Sequence, residues 1–134
     1  MTKVDFYVLQ AQARGDRFAL ACRITAKAYQ AGHRVLIHAP ESQQAQHMDR
    51  LLWSFNQQSF IPHGLLEQAD PEHNPVLIGN AEQTHEEHDV LINLALQTPI
   101  AFSRFQRLAE CVDHDAQARQ ASRERYRFYQ EHGY

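Results

Sequence analysis

The run RVLIHA, residues 34–39, decides the fold, because between Arg34 and His38 it is apolar without alternation. A strand with one wet face alternates, whereas a continuous apolar run belongs to a strand covered on both faces, as in parallel sheets. Upstream, KVDFYVL (3–9) alternates and is rich in β-formers, which predicts a strand. Between the two, Gly15-Asp16 opens a helix with Asp16 as its N-cap, running to about Gln30. Phe18, Ala21, Cys22, Thr25, Ala28 and Tyr29 recur there at spacings of three and four, and Gly32 supplies the stop. The first forty residues therefore read as a βαβ unit.

Downstream, Ser42 is expected to cap a second helix reaching Phe55, with Met48, Leu51, Leu52 and Phe55 inward and Trp53 on a neighbouring stripe. SFIPHG (59–64) is apolar but broken by Pro62, so it is an edge or an exposed loop rather than a central strand. PVLIG (75–79) and DVLINLAL (89–96) are expected as strands on either side of the polar turn NAEQTHEEH. A short helix over 101–106, a last strand over 108–112 and a terminal helix over about 115–131, capped by Asp113 or Asp115 and followed by Gly133, complete the chain. Strands alternating with helices predict an α/β, Rossmann-like layered and mostly parallel sheet with helices on both faces.

At 134 residues the chain is expected to form a single domain, 1–134. No signal peptide or long apolar span opens it, which places it in the cytosol. Cys22 and Cys111 stand far apart, outside any CxxC spacing, and read as small buried apolar residues. The net charge is -3, yet the segment from His114 onward sets four arginines against Asp115, Glu124 and Glu131, a local +1 that leaves -4 for residues 1–113. A duplex-DNA binder needs a broad basic face, so direct nucleic-acid binding is not favoured.

The turn after the first strand holds one glycine, no GxxxxGK[ST] occurs, and no phosphate cradle can be assembled, although sheet topology alone leaves room for a nucleotide or other small ligand at the strand C-termini. His85-Glu86-Glu87-His88 lacks the HExxH spacing that sets two imidazoles on one helical face, so no metal site is assigned. Nucleophile signatures are absent as well, and no catalytic residue and no cofactor are expected.

Two features exceed these structural readings. Trp53, Phe60, Ile61 and Pro62 put large apolar groups on what should be a sheet margin, where they either fold back into the core or are covered by a partner. Near the end, Arg119, Arg123 and Arg127 recur at i, i+4 and i+8, with Tyr126 three residues after Arg123. That stripe either compensates the helix dipole, with Tyr126 and Phe128 in the core, or joins guanidinium forks to an aromatic pocket fit for a peptide's terminal carboxylate.

DFYVL, GHRVLIHAP, MDRLLWSF, SFIPHG, DVLINL, RFQRLAECVD and RERYRFYQEHGY, in this order and covering nearly the whole chain, resemble the chi subunit of the bacterial DNA polymerase III holoenzyme. The resemblance implies a non-catalytic α/β adaptor without nucleotide, paired one-to-one with the psi subunit that connects it to the clamp loader. It also implies a second surface for the acidic C-terminal tail of single-stranded DNA-binding protein. Residue by residue, Trp53, Phe60, Ile61 and Pro62 match the psi-facing region, and Val112, Arg119, Arg123, Tyr126 and Arg127 match the tail pocket. Arg119 and Arg127 stand where lysine is familiar in that family, which keeps the charge but changes donor geometry.

Overall fold

The computed structural model describes residues 1–55 and 60–134. Its elements are β1 (Lys3–Val8), α1 (Arg17–Gln30), β2 (Val35–His38), α2 (Ser42–Ser54), β3 (His63–Leu65), β4 (Val76–Gly79), β5 (Val90–Asn93), a 3-10 helix (Ile100–Arg104), β6 (Arg107–Val112) and α3 (Ala116–Glu131). The strands form one sheet in the order β1-β6-β5-β2-β4-β3, and every neighbouring pair is parallel. The first crossover is wider than a simple βαβ unit, because β6 and β5 lie between β1 and β2.

The apolar run 34–39 has a direct cause in this order. β2 pairs with β4 on one side and β5 on the other, and its alternate side chains enter two different cores. Val35 and Ile37 pack with Val76, Ile78 and Ile92 beneath α1 and α2, while Leu36 meets Leu77, Leu91 and Leu108 beneath α3 and the 3-10 helix. Helices therefore cover both faces of the sheet, as expected.

Local chemistry sets the element ends. Asp16 caps α1 by accepting from the Ala19 N–H at 3.0 Å, and Gly32 turns the chain away at φ +86, a conformation that suits glycine. α2 departs from expectation at both ends. Its N-cap is Glu41, without a side-chain cap bond, and Ser42 is instead the first helical residue, its Oγ accepting from Gln46. Ala45, Met48 and Leu52 fill the inner face, whereas Phe55 follows the last helical residue and is exposed. β5 stops at Asn93 rather than near Leu96, because the Asn93 side chain accepts from the Ala95 N–H and turns the backbone out of the ladder. The 59–64 stretch leads into β3, an edge strand that starts one residue after Pro62, and its first residue, Ser59, lies outside the described residues. Among the described residues no helix is long and apolar enough to cross a membrane.

Candidate functional site

The two residue groups singled out in the sequence stand at opposite edges of the sheet. α2 ends beside β3, at one edge, and α3 runs beside β1 and β6, at the other. Five interstrand spacings separate β3 from β1, about 24 Å.

At the β3 edge, Trp53 and Phe60 are 58% and 62% exposed, and their rings lie 5.3 Å apart. Trp53 also leans on His63 at 4.9 Å. His63 is a fixed support, for its ring nitrogens lie 2.7 Å from the Ile61 carbonyl and 3.1 Å from that of Asp49. Chain alternation sorts the rest: Phe60 points out, while Ile61 is only 5% exposed and packs in the core under α2. Pro62 is half-buried. The open aromatic surface is thus Trp53 with Phe60, and Ile61 braces it from inside.

At the β1 edge, Asp115 caps α3 through the Ala118 N–H at 2.8 Å, and Ala118, Ser122, Arg125 and Tyr129 form the inner face. Arg119, Arg123, Tyr126 and Gln130, at i, i+4, i+7 and i+11, share one flank of the helix. Tyr126 directs that flank toward β1, its ring meeting Phe6 edge-on at 5.4 Å. Arg127 stands opposite the inner face and points to solvent, so the i, i+4, i+8 stripe divides at its last member. Val112 shares the α3 side of β6 with Leu108 and Glu110 and is buried. The hollow beside Tyr126, about 140 Å³, is walled by Val4, Phe6, Tyr129, Gln130 and Tyr134. Val112 is not one of its walls, because it pairs with Val8, two residues beyond Phe6.

What sets the rotation of α3 is a buried polar cluster that the sequence reading did not assign. The Glu110 carboxylate accepts from the Tyr129 hydroxyl at 2.6 Å and from Asn93 Nδ2 at 2.9 Å, and Arg125 Nε lies 3.1 Å away. That last contact is off the hydrogen-bonding line, so charge joins the pair, while Arg125 Nη1 donates to the Leu96 carbonyl at 2.6 Å. Burial pushes the Glu110 carboxyl above its ordinary range against the pull of Arg125, Tyr129 and Asn93, and burial with the neighbouring carboxylate also raises the Tyr129 phenol. A signal was legible, since Arg125 sits at i+7 from Ala118 and four residues before Tyr129, on the inner face. Asp113, a proposed cap for α3, is turned instead to Arg17, whose backbone N–H and Nη1 reach Oδ2 at 2.9 and 3.3 Å. This ties the start of α1 to the end of β6.

Other chemistry is sparse among the described residues. His85 is fastened to the Ala81 carbonyl at 2.8 Å and His88 to that of Glu86 at 3.0 Å, so the 85–88 histidines serve the turn. Asp70, Glu72 and His73 bring three donor atoms within 4.8 Å of one another, all exposed. The C-terminal ends of β2 and β4 border a hollow of about 160 Å³ lined by Ser42, Gln46, Gln68, Asn80 and Gln83. Burial raises the Cys22 thiol to about 12 and the Cys111 thiol also, which keeps both in the unreactive neutral form.

Comparison with known proteins adds an independent line. The family model described as DNA polymerase III chi subunit, HolC, matches residues 1–134. The chain is 42% identical over 134 residues to the DNA polymerase III subunit chi of Pseudomonas aeruginosa, covering 100% of this chain and 93% of that protein. It is 29% identical over 139 residues to the Escherichia coli protein of the same name, covering 100% and 95%, and 28% over 124 residues to that of Haemophilus influenzae, covering 92% and 86%.

Proposed function

The chain belongs to the DNA polymerase III chi subunit family, a replication accessory subunit, and from that premise we propose that it is a non-catalytic adaptor, folded as one domain over 1–134 in the cytoplasm. One surface, centred on Trp53 and Phe60, takes the psi subunit in a one-to-one complex and so reaches the clamp loader. The other, Arg119, Arg123 and Tyr126 with Arg127 on the solvent side of the same helix and Val112 buried beneath, takes the acidic C-terminal tail of single-stranded DNA-binding protein. DNA is then engaged through that partner.

The observation that carries this reading is the placement of two exposed surfaces of different chemistry at opposite edges of one sheet. An adaptor must hold two partners without competition, and a separation of about 24 Å allows it. The chemistry suits each role. A pair of exposed aromatic rings on a fixed support resembles an interfacial anchor, and arginine forks beside a ring suit a carboxylate next to an apolar side chain.

The test is assembly from purified parts: this chain, psi, and a labelled tail peptide, followed by size-exclusion chromatography and fluorescence anisotropy. A ternary complex in which psi does not displace the peptide is expected. Absence of psi binding, or competition between the two, overturns the reading.

A further inference from the structure

Among the described residues β1 is an outermost strand whose open side is unpaired. Its Lys3 N–H donates to Gln106 O and the following Leu9 N–H to Val112 O, both at 2.9 Å. A parallel ladder spaces its bonds evenly, so Asp5 and Tyr7 also turn toward β6, and Val4, Phe6 and Val8 direct their N–H and C=O groups outward. Among the described residues nothing bonds to these six groups. The other edge is blunted, since β3 has three residues and follows Pro62. β1 has six residues without proline or glycine, and it exposes Tyr7 and Val8.

A hollow lies on each face of this edge. On the α3 side is the one beside Tyr126, walled by Val4 and Phe6. On the α1 side is a larger one of about 230 Å³, bordered by Tyr7, Ile24, Ala28 and Ala109 with Lys27 and Arg107 at its rim. Short side chains at Ala28 and Ala109 leave the space open, and α1 packs on β2 and β6 rather than on β1. A dry cavity of about 150 Å³ accepts benzene, so this one has room for an apolar side chain.

We infer that the β1 edge takes up an extended acidic peptide as a seventh strand, its main chain bonded to Val4, Phe6 and Val8 and its alternate side chains entering the two hollows. Strand addition works in this way, with backbone bonds for affinity and pockets on alternating sides for specificity. The charge around the edge selects an acidic occupant. Lys3, Lys27, Arg107, Arg119 and Arg123 surround it, against Asp5, which stands 3.5 Å from Arg107. A second copy paired edge to edge about a two-fold axis would bring its α3 to the same face and add a second basic helix flank there, which leaves the positive charge unmatched. The inference rests on the reading of the α3 flank as an acidic-tail site and extends that site from the helix onto the sheet.

Amide hydrogen exchange of the ¹⁵N-labelled protein tests it, with a synthetic peptide of acidic residues ending in an apolar residue and a free carboxylate. On saturation, exchange at Val4, Phe6 and Val8 should slow at least about tenfold, while Asp5 and Tyr7 stay as protected as in the free protein. Peptides N-methylated at alternate amides should divide by register: one set weakened about tenfold or more, the other within about twofold. Binding without protection at the three amides, or equal affinity for the two methylated registers, overturns strand addition and leaves the helix-flank reading standing. If the unmodified peptide gives no anisotropy change at all, both fall together.

Discussion

The Arg125 guanidinium lies against the Glu110 carboxylate, Nε 3.1 Å from Oε2, with side chains only 5% and 0% exposed. Of the three arginines between positions 123 and 127, the middle one is thus a core residue, and the two exposed ones owe their direction to it. Removing one partner of a buried pair leaves the other charge uncompensated, at a typical cost of about 3–5 kcal/mol. Arg125→Ala should therefore destabilise the fold severely, whereas Arg123→Ala should change stability by less than about 0.5 kcal/mol. Urea unfolding followed by circular dichroism distinguishes them, and equal midpoints would contradict the buried role.

Asp113 governs a pH effect. Burial alone would raise its carboxyl, but the Arg17 and Asp115 backbone N–H groups and the Arg17 guanidinium outweigh burial and hold it below its ordinary range. A depressed folded-state value stabilises above the unfolded value, and that contribution is lost as pH falls through the folded one. Wild type should thus exceed Asp113→Asn in melting temperature at neutral pH, by an amount that is constant down to about pH 5 and shrinks below about pH 4. A gap that widens on acidification would reverse the sign and refute the assignment.

Phe60→Ala removes an exposed ring that leans at a tilt on another exposed ring, so the isolated chain should keep its melting temperature within a few degrees. Binding to psi should weaken at least about tenfold, as truncation of an aromatic anchor typically costs about 2 kcal/mol. Isothermal titration with psi reads the second effect; unchanged affinity would remove Phe60 from the interface.

The divided arginine stripe predicts unequal mutants. Arg123→Ala, on the flank with Tyr126, should lose about 1.5–3 kcal/mol of tail-peptide affinity, the range for a hydrogen bond to a charged group. Arg127→Ala, on the solvent side, should mainly slow association and reduce its salt dependence. Stopped-flow association and dissociation at two ionic strengths separate the two behaviours, and identical increases in dissociation rate would place both residues in the pocket.

Much of the architecture was legible in short-range pattern. RVLIHA had to be covered on both faces because no alternation offers a wet side, and Asp16 and Gly32 announced helix ends through local hydrogen bonding and backbone freedom, while for α3 the sequence left Asp113 and Asp115 as alternatives and the structure takes Asp115. The family signature was equally local, a series of short motifs in order. Tertiary structure alone decided which strands neighbour one another, because strand order depends on pairings between residues distant in sequence: β1 lies three places from β2, and the open edge at β1 exists for that reason. It also decided which of Phe60 and Ile61 faces water, since period-two alternation separates them but only the packing of α2 against β3 chooses the side. The same holds for Arg123, Arg125 and Arg127, alike in sequence. Helical geometry sends them in different directions, and only the partner waiting at Glu110 makes one of them interior.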